Sequence, residues 1–296
     1  MPIVGDRRAA LILLLILCSV LIAFPNVGIV KAEGTIYIRA DGSVEGTDKL
    51  QRNGNIYTLT DSIYDVSGGS IIVERSNIIL DGTGHTFSSP LALYGIYLSK
   101  VESVTIKNLV IRDCRTGIFI DDSTHVTISD NTLTEMDASF PPPTSAAIRV
   151  YSGGSHVIVG NNITCNLVGI VFSNSSNNRI FHNNFINNDA DVYDPSWYFP
   201  HTYTPSTNFW DNGYPSGGNY WSNYKGTDSN GDGIGDTPYV FIVENETVYT
   251  DYYPLAEPHI IPEFPSWIIL LTTLVAVVIV AFVYKRKIQN QERWNK

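Results

Sequence analysis

The chain has 296 residues with 19 Lys and Arg against 29 Asp and Glu, a formal net charge of −10. This acidic balance disfavours nucleic acid and anionic membrane surfaces as partners. Three cysteines are too few for a disulfide framework, and the length allows a sizeable core.

Residues 1–32 have the layout of a secretory signal peptide. Arg7 and Arg8 precede an uninterrupted apolar run from Ala9 to Phe24. Val30 and Ala32 then supply an aliphatic residue at −3 and a small residue at −1 of a cleavage site. We therefore expect the segment that follows, residues 33–266, to lie outside the cytoplasm. The pattern leaves open whether the segment is cleaved or retained as an anchor.

The middle of the chain repeats. Three sets of apolar or small residues recur with the same spacings of 22, 30 and 22: Gly95, Gly117, Ala147 and Gly169; Ile106, Ile128, Ile158 and Ile180; Ile111, Leu133, Ile163 and Phe185. A 22-residue unit with one insertion of 8 residues explains all three, and Pro141–Pro143 mark that insertion as a loop. Short alternating stretches within the unit indicate strands. We predict an all-β fold, a right-handed parallel β-helix over residues 33–188 with about 22 residues per rung.

Asparagines follow the same register at Asn131, Asn161 and Asn183. Asn tolerates the left-handed backbone that sharp turns require, and its amide can bond to the next rung. A turn ladder is favoured over a polar strip that binds a ligand.

Three acids are the candidates for catalysis: Asp113, Asp121 and Asp122. Glycosidic cleavage by general acid–base chemistry needs two or more converging carboxyl groups. The positions 30 residues after Asp121 and Asp122 are Tyr151 and Ser152, so no acidic column forms. Turn acids exposed to solvent are the favoured interpretation.

Residues 189–256 are predicted to form an aromatic-rich capping module. Eleven aromatic residues lie between Tyr193 and Tyr224. An open β-helix end exposes apolar core and unpaired strand edges, so a cap is needed. Contact of some of these rings with sugars stays open.

The capping module also contains a loop typical of calcium sites. Oxygen ligands at alternate positions and a tight glycine bend predict Ca²⁺ binding by Asp228, Asn230, Asp232, the backbone carbonyl of Ile234, and Asp236. The loop departs from an EF-hand at position 12, where Tyr239 replaces Glu. The alternative is a polar turn without metal.

The C-terminal region contains a second apolar run. Residues 267–284 carry no charge and, at about 1.5 Å per residue, reach about 27 Å, one bilayer core. Lys285, Arg286 and Lys287 follow at once, so the positive-inside rule assigns 285–296 to a cytoplasmic tail. We predict a single-pass cell-surface protein with an extracytoplasmic linker at 257–266. A buried core helix is the alternative.

Several segments resemble the NosD-type β-helices of the pectin-lyase-like superfamily, and archaeal surface members in particular: Ile36–Ser43, Asn77–Phe87, Asn219–Tyr224, Asp228–Tyr239 and Asp251–Leu255. The resemblance implies a β-helix that binds or hydrolyses carbohydrate, or an accessory protein for copper-site maturation. The six histidines share no column or tight spacing, and one methionine lies outside the signal peptide, which disfavours copper.

We therefore expect a membrane-anchored surface protein with a structural, adhesive or glycan-binding role. A polysaccharide lyase or glycoside hydrolase is the alternative, and metal-site maturation is disfavoured. Asn162, Asn174 and Asn245 begin N-glycosylation sequons.

The repeat also makes a prediction about the cysteines. Cys114 and Cys165 belong to units two rungs apart, which at about 4.8 Å per rung separates their Cα atoms by about 10 Å. A disulfide needs less than about 7 Å, so we predict that they are not bonded to each other.

Overall fold

The computed structural model of the chain describes residues 34–65, 67–137, 139, 144–243 and 246–260. The predicted signal peptide, transmembrane helix, cytoplasmic tail, Asn245 sequon and Pro141–Pro143 loop lie outside the described residues. Within the described ranges, no helix is long and apolar enough to cross a membrane.

The regular secondary structure of the described residues is almost entirely strand, and most of these strands lie in three long sheets. Sheet 1 contains, in spatial order, β2 (Val44–Glu45), β1 (Ile36–Ile38), β6 (Ile71–Val73), β9 (Tyr94–Ser99), β12 (Thr116–Thr124), β15 (Ala146–Gly154), β18 (Val168–Ser173) and β21 (Ala190–Tyr193). Sheet 2 contains β19 (Arg179–Phe181), β16 (Val157–Val159), β13 (Thr127–Ser129), β10 (Thr105–Lys107), β7 (Ile79–Asp81), β4 (Ile56–Leu59) and β3 (Leu50–Asn53). Sheet 3 contains β22 (Tyr220–Trp221), β20 (Asn184–Ile186), β17 (Asn162–Thr164), β14 (Thr132–Thr134), β11 (Val110–Arg112), β8 (Thr86–Ser88) and β5 (Ile63–Tyr64). A separate hairpin joins β23 (Tyr239–Val243) and β24 (Glu246–Asp251), and Pro195–Trp197 form a 3₁₀ turn.

The chain visits the three sheets in turn, so each circuit is one rung. From β10 in sheet 2 it passes to β11 in sheet 3 and β12 in sheet 1, and β13 then pairs with β10 in parallel. The same parallel pairing repeats along each sheet, apart from antiparallel β1–β2 and β3–β4 near the N-terminal end. The predicted parallel β-helix is confirmed.

The strand register confirms the repeat. Ile106, Ile128, Ile158 and Ile180 pair in sequence along sheet 2, as do Ile111, Leu133, Ile163 and Phe185 along sheet 3. All eight side chains are fully buried, because successive residues of a strand point alternately into and out of the core. The 8-residue insertion falls between the end of β14 and the start of β15.

The columns also extend beyond the recognised repeat. Leu80 pairs with Ile106 and Phe87 with Ile111, although the sequence separations are not 22 residues. At the other end, β21 pairs with β18 and β22 with β20, so strand stacking continues past the expected boundary at residue 188.

The asparagine column forms the predicted hydrogen-bond ladder, but the left-handed backbone lies one residue earlier, at Asp130, Gly160 and His182, and not at the asparagines. The Nδ2 of Asn131 donates to Asn161 Oδ1 at 3.0 Å, Asn161 Nδ2 to Asn183 Oδ1 at 2.9 Å, and Asn183 Nδ2 to Asn219 Oδ1 at 2.9 Å. All four residues are fully buried. Buried polar groups require hydrogen-bond partners, and the ladder supplies them to the side-chain and backbone amides at these turns.

The aromatic module covers the last rungs. Trp221 stacks on Phe185 with ring centroids 4.2 Å apart, and Trp210 meets Phe172 edge-on at 6.0 Å. Both tryptophans are almost fully buried. These rings therefore close the apolar cross-section of the β-helix, as expected for a cap.

Cys114 and Cys165 are both free cysteines in the structure. Cys114 follows β11 and Cys165 follows β17, and β14 lies between those two strands in sheet 3. The separation of two rungs is the one that the repeat predicts.

Candidate functional site

The outer surface of sheet 1 carries a cluster of aromatic side chains around one arginine. Ile96, Ile118 and Ile148 of β9, β12 and β15 point into the core, so the next residue of each strand points outward. Those next residues are Tyr97, Phe119 and Arg149, which pair in register on three successive rungs. We call Tyr94, Tyr97, Phe119, Arg149 and Tyr151 the outer aromatic face.

Three rings of the outer aromatic face, those of Tyr94, Tyr97 and Phe119, are in mutual contact. Ring centroids are 5.2 Å apart for Tyr94 and Tyr97, 4.9 Å for Tyr94 and Phe119, and 5.5 Å for Tyr97 and Phe119. The Cζ atom of Arg149 lies 5.0 Å from the Phe119 centroid, in cation–π geometry. Tyr94 and Tyr97 are half-buried and Tyr151 is exposed, so a ligand can reach their rings.

Asp121, one of the three candidate acids, borders this face. It pairs in register with Ser99 and Tyr151. Its Oδ2 accepts a hydrogen bond from the Tyr97 hydroxyl at 2.9 Å and a longer one from Ser99 Oγ at 3.4 Å. Burial raises the pKa of Tyr97, and the carboxylate of Asp121 adds to that rise. The phenol therefore stays protonated and its orientation is fixed.

The other two candidate acids have left-handed backbone conformations, Asp113 after β11 and Asp122 within β12. Asp113 has a φ of 64°. Its Oδ2 accepts a hydrogen bond from Ser88 Oγ at 2.6 Å and lies 3.4 Å from Arg112 Nη1. Asp122 is exposed with a φ of 45°. In the part of the chain that the structure describes, no hydrogen bond joins any two of these three carboxyl groups.

The predicted calcium loop is exposed and holds its carboxylates through its own N–H groups. Asp228 accepts from the amides of Gly231, Asp232 and Gly233, and Asp232 accepts from Ile234 at 2.9 Å. Asn230 Nδ2 donates to Asp232 Oδ2 at 3.0 Å.

Asp236 turns to the start of the loop instead. Its Oδ2 accepts from the amide and hydroxyl of Ser229 and from Thr227, and these hydrogen bonds lower the pKa of Asp236. The side chain of Ile234 is buried. Across the described ranges, no group of three or more His, Cys, Asp or Glu side chains is arranged to hold a metal. Calcium binding by this loop stays a prediction.

Two fully buried carboxyl groups tie the cap together, and sequence reasoning missed both. Asp194 Oδ2 accepts from the Tyr249 hydroxyl at 3.0 Å. Asp251 accepts from Trp221 Nε1 at 2.9 Å and from the amides of Asn219 and Tyr253. Burial raises the pKa of Asp251 to about 7, against the opposing effect of these three donors. Partners 30 to 55 residues apart leave no local sequence signal.

The structure also pairs two histidines that the sequence treats as unrelated. The rings of His182 and His259 stack with centroids 4.7 Å apart and planes inclined by 17°. Nitrogen lone pairs lie in the ring plane, so stacked imidazoles direct them side by side and not toward a common ion. His182 Nε2 is also bonded to the carbonyl of Ser216 at 2.7 Å. This arrangement does not fit the donor set of a copper site.

Two of the three sequons lie in the described ranges. Asn174 is exposed in a turn. Asn162 is half-buried in β17, and its Oδ1 accepts from Asn184 Nδ2 at 2.7 Å. Asn174 is therefore the better placed acceptor of the two.

The fold and the outer aromatic face define a capped parallel β-helix with an aromatic surface on one sheet. Residues 29–226 match the family model described as "Periplasmic copper-binding protein (NosD)", and the chain belongs to that family. No curated protein matches the chain. The family assignment confirms the resemblance to NosD-type β-helices, and the periplasmic description agrees with an extracytoplasmic β-helix.

Proposed function

We propose that this protein is a glycan-binding β-helix of the cell surface, held by the apolar segment 267–284, and that the outer aromatic face binds the sugar. The observation that carries the proposal is the contact of three aromatic rings on two neighbouring rungs, with Arg149 on the next. Aromatic rings in mutual contact at a surface offer a rigid apolar platform at low entropic cost.

The chemistry of the face suits a sugar. Pyranose rings present apolar C–H faces that pack on aromatic rings, while their hydroxyls need polar partners at the rim. Tyr97, Asp121 and Ser99 supply such partners beside the rings. Rungs lie about 4.8 Å apart, so an extended oligosaccharide parallel to the helix axis would meet successive rungs along its length.

A lyase or hydrolase is the second candidate function, and the geometry supports it less well. Asp121 borders the face, but its Oδ2 is engaged by Tyr97, and Asp113 is engaged by Ser88 and Arg112. Cleavage would need a second carboxyl group or another base near Asp121. Turnover of a polysaccharide that disappears in Asp121→Asn would favour the enzyme.

The test uses the full-length chain in detergent on an array of acidic and neutral oligosaccharides. Any glycan that binds is then titrated against Tyr97→Ala, which removes one ring of the platform. We expect binding to weaken about tenfold, since losing an aromatic contact costs about 1.5 kcal/mol.

Tyr64→Ala is the matched control, because Tyr64 is an exposed tyrosine on sheet 3 with 53% of its surface accessible. It should bind as the unmodified chain does. Equal affinity of the Tyr97→Ala variant, at unchanged melting temperature, would contradict the proposal.

A further inference from the structure

We infer that the glycan bound by the outer aromatic face is acidic, and that Arg149 binds a carboxylate of the sugar. The inference rests on the proposed function and names the class of its ligand. The observation behind it is a guanidinium that is positioned by the protein but has no anionic partner.

Arg149 differs from Arg39 and Arg112, which both have carboxylate partners. Arg39 lies 2.6 Å from Glu45 and 3.1 Å from Glu74, and Arg112 lies 3.4 Å from Asp113. No carboxylate of the described residues lies within ion-pair distance of Arg149, and its Nε is buried without a hydrogen-bond partner.

The packing of Arg149 prepares it for an anion. Its guanidinium lies over the Phe119 ring, which itself has 8% of its surface exposed. Stacking fixes the plane of the guanidinium and leaves the N–H groups along its edge to bond a ligand. The terminal N–H groups of this fixed guanidinium can bond a carboxylate in bidentate geometry.

The acids nearby do not replace such a ligand. Asp121 lies one rung away, two residues further along the strand direction, and its Oδ2 is engaged by Tyr97 and Ser99. Residues 33–266 hold 11 basic against 27 acidic residues, a formal net charge of −16. At physiological salt, charges beyond about 8 Å are largely screened. The charge of Arg149, and not the net charge of the whole region, therefore sets the preference for an acidic sugar.

The ligand class follows from these contacts. A sugar that rests on Tyr94 and Tyr97 brings a ring substituent to the guanidinium of Arg149, which lies over Phe119 on the next rung. A hexuronic acid carries its carboxylate on the pyranose ring itself, and so provides both the apolar face and the anion.

The experiment compares hexuronic-acid oligosaccharides with the same oligosaccharides after carboxyl reduction, by calorimetric titration of the full-length chain. We expect the acidic form to bind about tenfold more tightly, the effect of one partly exposed charge-assisted pair. In Arg149→Gln this preference should disappear, because the acidic form loses its ionic partner and the reduced form has none to lose. Arg149→Lys, which keeps the positive charge but lacks the planar set of guanidinium N–H donors, should retain part of the preference.

The outcomes separate this inference from the proposed function. Equal or tighter binding of the reduced form, or an acid preference that survives in Arg149→Gln, overturns the inference and leaves glycan binding intact. About tenfold weaker binding of both forms by Tyr97→Ala, together with an acid preference in the unmodified chain, supports both. Absence of binding to either form by the unmodified chain overturns both.

Discussion

Removal of one amide from the asparagine ladder should destabilise the whole β-helix. Asn161 is fully buried, and its Oδ1 accepts from both the backbone amide and the Nδ2 of Asn131 at 3.0 Å. Its Nδ2 donates to the carbonyl of Ile128 at 2.9 Å and to Asn183. An Asn161→Ala chain retains the backbone path but loses all of these bonds.

The magnitude follows from the groups left without partners. The Asn131 amide loses its acceptor and the Ile128 carbonyl loses its side-chain donor, and each buried unsatisfied group costs about 1–3 kcal/mol. We expect the free energy of unfolding to fall by about 3–5 kcal/mol, a large part of the 5–15 kcal/mol that is typical of a folded domain.

Urea unfolding followed by circular dichroism measures this change. The control is Asn53→Ala, at an exposed asparagine of β3, which should shift stability by less than about 0.5 kcal/mol. A loss below about 1 kcal/mol in Asn161→Ala would refute the reasoning, because the ladder would then carry no more than a surface amide.

Three further predictions concern the metal loop, a buried imidazole and the thiols. If the loop binds Ca²⁺ in the folded state alone, chelation should lower the melting temperature of the unmodified chain but not of Asp232→Ala. Free Ca²⁺ at a hundredfold excess over its Kd should raise the free energy of unfolding by about 2.7 kcal/mol. Equal melting temperatures with and without chelator would show that the loop is a polar turn without metal. Burial lowers the pKa of His156 to about 4 from 6.5. Between these pH values the unfolded chain binds a proton that the folded chain does not, so the free energy of unfolding should be about 3 kcal/mol lower below pH 4 than above pH 6.5. His156→Gln should flatten urea stability between those pH values, and an unchanged slope would count against this assignment. Cys165 is exposed and should alkylate in the native protein, whereas Cys114, whose pKa burial raises to about 12, should react after unfolding; a peptide that cross-links the two would break the register.

The sequence predicted the central rungs well because their lengths are equal. Ile106, Ile128, Ile158 and Ile180 are spaced by multiples of one unit plus a single insertion, so the column is visible without a structure. The rungs before Gly95 differ in length, and Leu80 therefore joins the same column without a visible period.

The outer aromatic face was not predicted, for a different physical reason. Core positions of successive rungs must all be apolar and of similar size, since they stack in one column. Outward positions carry no such constraint, so Tyr97, Phe119 and Arg149 share a register without sharing a chemical type. The contact of His182 with His259 depends on how the cap folds back, which no repeat encodes.

The most direct test of glycan binding is a crystal structure of the protein with a hexuronic-acid oligosaccharide. We predict a sugar ring packed on Tyr94 and Tyr97, with its carboxylate within hydrogen-bond distance of Arg149. An oligosaccharide bound instead at the exposed cap residues Tyr198 and Phe199, with sheet 1 bare, would contradict it.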